Sequence, residues 1–213
     1  MKYQVELASW SRRNNWQFMK EFANSWYSIT TEVDCTEAFE ESKQKHTSFF
    51  IKYLYAILRS ANEVKEFGYR PDGDGVCWFD TIGATVPIAV PGGTFYTVLI
   101  PYLEDYDIFY NKVKDLTYNI PKDGDPYGVN RLLIESGETG VINISATPNL
   151  YFTGITYTFH RNGLGSDWPL LNVGKVIRRE GRWIMPLGIY VDHCFVDGAN
   201  LADFVERVQK HLN

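Results

Sequence analysis

The chain has 213 residues, 45% of them apolar and 22% charged, with a formal net charge of −5. That length suits one domain or at most two with a sizeable core, and the apolar share excludes a disordered chain. A net negative chain without a basic cluster argues against nucleic acid as a partner, and no apolar run approaches the ~18 residues of a membrane span.

The opening residues Met1 to Glu6 carry no apolar stretch of the kind a secretory signal needs. Three cysteines, Cys35, Cys77 and Cys194, are odd in number and widely spaced. They fit a reducing cytoplasm and suit neither a disulfide framework nor a zinc site. The four histidines, His46, His160, His193 and His211, are also scattered, so no metal is expected. Aromatic residues reach 15%, enough to line a pocket or a subunit interface as well as fill a core.

In chain order, residues 11–24 read as a first helix with Ser11 as its N-cap and Trp16, Met19, Phe22 and Ala23 near one face. Arg12 and Arg13 at its start are misplaced for the helix dipole, which disfavours cations there. Either they are surface charge or one pairs with a carboxylate elsewhere. Residues 27–33 alternate and are β-branched, as in a strand. Asp34 opens a loosely capped helix over 36–45. Residues 48–64 form the clearest helix, with Phe50, Tyr53, Leu54, Ile57, Leu58 and Ala61 as its apolar stripe.

The period then changes to two. Strands are expected over 76–80, 85–90 and 94–100, separated by Gly/Pro turns at 71–75 and 91–93. Helical spacing returns over 104–117. The polar, Gly/Pro-rich 119–140 reads as a long loop, which in a compact domain is usually functional. Strands follow at 141–146 and 153–159, then a Gly-rich connection at 160–168. Residues 170–177 and 182–191 form a hairpin about Arg179-Glu180-Gly181-Arg182. Residues 199–211 close the chain as a helix with Leu201, Phe204, Val205, Val208 and Leu212 on one face. Helices mixed with mostly sequential strands predict an α/β two-layer sandwich, one mixed β-sheet covered by helices, in a single domain over 1–213.

Between the last strand and the last helix lies Asp192-His193-Cys194-Phe195-Val196-Asp197-Gly198. An imidazole with an ordinary pKa near ~6.5 is the side chain best suited to exchanging protons at neutral pH. From this heptapeptide alone, His193 is equally well read as a satisfied polar residue at an element end. The pattern His-x-x-x-Asp-Gly at a strand end resembles the signature of the coenzyme A-dependent acyltransferases. That superfamily includes the chloramphenicol acetyltransferases and the E2 components of 2-oxoacid dehydrogenases.

Further stretches resemble the chloramphenicol acetyltransferases in order along nearly the whole chain. They are Trp10-Ser11-Arg12-Arg13, Tyr27 to Asp34, Val76-Cys77-Trp78-Phe79-Asp80, Thr94-Phe95 with Pro101-Tyr102, Asn143-Ile144-Ser145-Ala146, and Pro169 to Lys175. The resemblance implies an acetyl-CoA-dependent O-acetyltransferase forming a homotrimer with active sites between subunits. By the same resemblance His193 is the general base, Ser145 the oxyanion donor, and Asp197 and Arg12 an ion pair supporting the histidine loop. Asn172 stands where the family has a water-holding threonine, and Lys175 matches a lysine near the coenzyme A phosphates, although an isolated lysine is often just solvated. Phe18, Tyr27 and Phe95 align with acceptor-pocket aromatics and equally suit a core. Gly198 fits a tight turn with close backbone approach.

The chain also departs from the family. Tyr190-Val191-Asp192-His193 and Gly198-Ala199-Asn200 stand where the family has Gln-x-His-His and Gly-[Phe/Tyr]-His. Asp192-His193 followed by Asp197-Gly198-Ala199 is closer to the spelling in the E2 acyltransferases, whose lipoyl domain and Pro/Ala-rich linker are not expected here. Met19 and Ala23 stand where the antibiotic-modifying members place a tyrosine and a leucine against the drug, and Asn149 replaces a tryptophan after the Ser-Ala-x-Pro turn. Three readings stay open: acetyl transfer to chloramphenicol or a similar hydroxyl, transfer to a different acceptor, and a non-catalytic trimeric binding protein of the same fold. A carboxylate at Asp192 next to His193 raises the imidazole pKa if the two side chains meet, and strand alternation can send them apart.

Overall fold

The computed structural model describes residues 1–120, 125–158 and 168–213. The elements in chain order are β1 (Lys2–Gln4), α1 (Arg13–Met19), β2 (Trp26–Asp34), α2 (Thr36–Gln44) and α3 (Phe49–Glu63). A 3-10 turn (Lys65–Gly68) leads into β3 (Tyr69–Asp72), β4 (Gly75–Phe79), β5 (Gly83–Val90) and β6 (Thr94–Ile100). Then come α4 (Tyr106–Tyr118), α5 (Gly128–Ser136), β7 (Val141–Thr147), β8 (Leu170–Gly174), β9 (Ile177–Arg179), β10 (Arg182–Asp192) and α6 (Gly198–His211).

The main sheet runs β2-β10-β8-β7-β5-β6, with β9 pairing on β10. Strand β7 is parallel to β5 and β8, and the other pairings are antiparallel, so the sheet is mixed. Strands β1, β4 and β3 form a second, antiparallel sheet. Alternation along the central strands sends Leu187, Ile189 and Val191 of β10, Leu171 and Val173 of β8, and Ile142 and Ile144 of β7 into one core with Leu54, Ile57 and Leu58 of α3. Helix α6 adds Leu201, Phe204 and Val208, all at most 3% exposed. Each such side chain contributes about 1.5–3 kcal/mol when withdrawn from water, which fixes α6 and hence the loop before it. No helix among the described residues is long and apolar enough to cross a membrane.

The α/β two-layer architecture matches the sequence expectation, as do α3 with its Ser48 cap, α6, and the hairpin entering β10. Several local expectations are corrected. Ser11 caps nothing: α1 starts at Arg13, its N-cap position is Arg12, and the helix ends at Met19 rather than 24. Asp34 lies at the end of β2, and its carboxylate accepts from Thr36 N and Oγ1 without a capping box. The Pro71 turn is partly strand, because Pro71 sits on edge strand β3, where no ladder donor is required of it. The long loop at 119–140 contains α5, whose Leu133 is buried with Val141 and Trp168. Residues 153–158 are not strand but cross the sheet face opposite the helices, with Ile155 and Tyr157 against Gly188. The remainder of that expected strand, and the 160–168 connection apart from Trp168, fall outside the described residues.

Candidate active site

His193 sits in the turn that joins β10 to α6. The turn is organised by its own first residue. The Asp192 carbonyl accepts from Phe195 N and Val196 N, each at 3.0 Å, and the Asp192 carboxylate accepts from Cys194 N at 2.8 Å. That carboxylate is 8% exposed and is directed at Cys194, which answers the question of where it points. Burial first, then the Asp192 charge, pushes the Cys194 thiol up to about 12.

The turn is closed by Asp197, the N-cap of α6. Its carboxylate accepts from Ala199 N and Asn200 N, and Asn200 Oδ1 accepts in return from Asp197 N, a complete capping box. The other carboxylate oxygen takes Arg12 Nη1 at 3.0 Å, so the expected pair of Arg12 with Asp197 is present. Burial pushes the Asp197 carboxyl up, but hydrogen bonds from Arg12 and the α6 amides outweigh it and hold it below the usual range. Gly198 does not fit the expected close approach: it is the first residue of α6, and a Cβ built there meets nothing within 4 Å.

Three further contacts fix the histidine. His193 N donates to Ser25 O at 2.9 Å. Tyr27 lays its ring 4.7 Å from the imidazole and donates its hydroxyl to Val196 O at 3.3 Å, so it belongs to the histidine's surroundings. Asn15 donates from Nδ2 to His193 O at 2.8 Å and to Cys194 O at 3.0 Å. The sequence reading missed Asn15. Its signal was available in the helix period, since Asn15 lies three residues after Arg12 and shares its face.

Ser145 and Asn172 form a second group, on β7 and β8. They are register partners, and Gly188 of β10 is level with them. Thr147 Oγ1 donates to Asn172 Oδ1 at 2.8 Å. Because the flanking Ile144 and Leu171 enter the core, Ser145 and Asn172 face away from the helices. Lys175, just beyond β8, is exposed and its backbone N donates to Leu150 O. Phe95, on edge strand β6, packs edge-on against Tyr127 at 5.4 Å. Phe18 is 65% exposed on α1, where it borders a surface cavity of about 570 Å³ with Asn14, Gln17, Glu21 and Phe22.

The register measures how far these groups stand apart. From the Gly188 level to His193 is five residues, or about 16.5 Å along the strand at ~3.3 Å per residue. From β10 across β8 to β7 is two strand spacings, or about 10 Å. The two backbone positions are therefore roughly 19 Å apart. A general base and an oxyanion donor must each lie within about 3 Å of one reacting centre. One copy of the chain does not bring His193 and Ser145 together. Among the described residues, no group of three His, Cys, Asp or Glu side chains is placed to hold a metal.

A family model described as Chloramphenicol acetyltransferase matches residues 1–209. The chain is 25% identical over 213 residues to the chloramphenicol acetyltransferase of Proteus mirabilis, covering 98% of this chain and 94% of the relative. It is 23% identical over 215 residues to that of Clostridium perfringens, covering 97% and 92%. A solved chloramphenicol acetyltransferase superposes with a TM-score of 0.95 at 43% identity over 100% of both chains. A probable dihydrolipoamide acetyltransferase of Listeria monocytogenes shares the fold alone, with a TM-score of 0.63 at 15% identity over 93% of this chain and 88% of that one. With a full-length match in sequence and in fold, this chain is an acyltransferase belonging to the chloramphenicol acetyltransferase family.

Proposed function

We propose that the chain, as one domain over 1–213, moves an acetyl group from acetyl-CoA to a hydroxyl of chloramphenicol or a similar small acceptor. It works as a cytoplasmic homotrimer whose sites lie between copies. His193 Nε2 takes the hydroxyl proton as the acceptor oxygen attacks the thioester carbonyl carbon. The tetrahedral oxyanion accepts a hydrogen bond from Ser145 Oγ. Collapse breaks the carbon–sulfur bond, and the imidazolium returns its proton to the leaving thiolate. Asn172, with its oxygen engaged by Thr147, offers its amide N–H to a water near the reacting centre. Lys175 reaches the coenzyme A phosphates from its exposed position, and Phe18 and Phe95 contact the acceptor.

The observation that carries this reading is the roughly 19 Å between two half-sites, one with the base and one with the oxyanion donor. The His193 half holds a clamped base without an oxyanion donor. The Ser145 half holds the donor without a base. A neighbouring copy supplies what each lacks.

General base catalysis typically contributes about 10²–10⁴-fold, so His193→Ala lowers turnover at least a hundredfold with the fold intact. A near-wild-type rate would remove the base from this mechanism. A second reading changes only the acceptor, and Met19 and Ala23 on and after α1 favour it, being smaller or more pliable than the residues expected against the drug. Coenzyme A thiol release is followed with acetyl-CoA and a panel of alcohols and amines. Release with chloramphenicol supports the first reading, and release only with other acceptors supports the second. Silence across the panel leaves a binding protein.

A further inference from the structure

The base reading requires an imidazole held still, yet His193 lies one residue past β10, where a single bond from its N–H to Ser25 O extends the pairing with β2 and its carbonyl has no strand partner. Something outside the turn must fix its backbone. Helix α1 does so residue by residue: Asn15 takes the carbonyls of His193 and Cys194, Trp16 stacks on Phe195 at 5.5 Å and 17°, and Arg12 takes Asp197. Arg12, Asn15 and Trp16 lie at i, i+3 and i+4, one face of a helix.

Of these, Asn15 acts nearest the imidazole. A single amide nitrogen spends both its protons on two successive carbonyls, at 2.8 and 3.0 Å. A carboxylate of the same shape has no proton to give and would set its oxygen against both carbonyls. His193 is thus gripped at its N–H by Ser25 O and at its carbonyl by Asn15, from two different elements. With both ends of the residue fixed, the direction of its Cα–Cβ bond is fixed too.

We propose that Asn15 is a positioning residue for His193, setting the backbone from which the base reaches the acceptor. This rests on the reading of His193 as the base. Misplacing a reacting group by ~1 Å costs about 10²-fold. Asn15→Asp and Asn15→Ala therefore lower kcat by about 10–100-fold, with KM for acetyl-CoA and acceptor changed less than about twofold.

The decisive experiment combines Asn15→Ala with His193→Ala and measures thiol release and thermal stability for all four proteins. If Asn15 acts through the imidazole, its effect on kcat disappears once His193 is alanine. If it merely holds the fold, the loss persists undiminished in that background, and the inference is overturned. It is also overturned if Asn15→Asp keeps kcat within about twofold of wild type while His193→Ala does not. A full rate in His193→Ala itself removes the base, a different failure that the same four measurements identify.

Discussion

Asp197 holds the histidine turn through two separable interactions, and replacing it by alanine or asparagine takes them apart. Alanine removes the oxygen that accepts from Ala199 N and Asn200 N, and it also removes the charge opposite Arg12. Loss of an N-cap costs about 1 kcal/mol, within a range of ~0.5–2. The ion pair is uneven, with side chains 16% exposed for Arg12 and 40% for Asp197. After solvent screening it adds about 1 kcal/mol. The sum is about 2 kcal/mol, and at ~2–4 °C per kcal/mol for a chain of this size Tm falls by about 4–8 °C. Asparagine keeps a cap oxygen and loses only the charge, so its Tm falls by about half as much. The charge effect also depends on pH. The folded Asp197 carboxyl lies below its usual range, so its stabilisation is present above ~4 and is lost as pH falls through the folded value. Thermal melts from pH 7 to pH 2.5 should show the gap between wild type and Asp197→Asn closing on acidification. Equal losses for alanine and asparagine would refute the capping argument, and a gap that stays open in acid would refute the charge argument.

Other predictions concern the helices and the thiols. Glu63 joins α3 to α6 by accepting from Arg59, Arg207 and His211. Burial pushes its carboxyl up, but these hydrogen bonds prevail and hold it at about 2. Glu63→Gln therefore costs ~1–2 kcal/mol after screening at neutral pH. That difference vanishes between pH ~4.3 and about 2, which urea titrations across the range would check; a constant difference would contradict it. All three cysteines are buried, and burial pushes Cys35 and Cys194 up to about 12 and Cys77 up as well. A disulfide reagent should find no reactive thiol in the native protein and three in denaturant. Rapid native labelling would place a cysteine at the surface.

What the sequence made legible was local. The stripe of α3 and the stripe of α6 are period-3.6 patterns with ordinary caps at Ser48 and Asp197, so both helices could be read directly. Helix α5 was hidden among Gly, Pro and Asp, because Leu133 is its one buried apolar residue and Val129 is only partly buried beside it. Residues 153–158 alternate like a strand, yet no partner strand pairs with them among the described residues. Their side chains instead cover Gly188 and stack Tyr157 on Tyr190. The resemblance named candidates for the site, but distance was invisible to it. Only the register of β10, β8 and β7 places Ser145 level with Gly188, five residues from the histidine. Asn15 could be placed on the face of Arg12 by the helix period, but not against its two acceptors, which lie 178 and 179 residues away along the chain.

The proposed sharing of the site between copies is tested most directly by mixing two inactive chains. His193→Ala and Ser145→Ala proteins are denatured, combined in equal amounts and refolded, and thiol release is compared with that of each alone. In a closed trimer assembled at random about three quarters of assemblies are mixed, and each mixed assembly has one interface in three with an intact pair. Activity should rise from about a hundredth of wild type or less to about a quarter. Activity equal to the average of the two parents would mean that base and oxyanion donor never meet across copies, and would contradict the account.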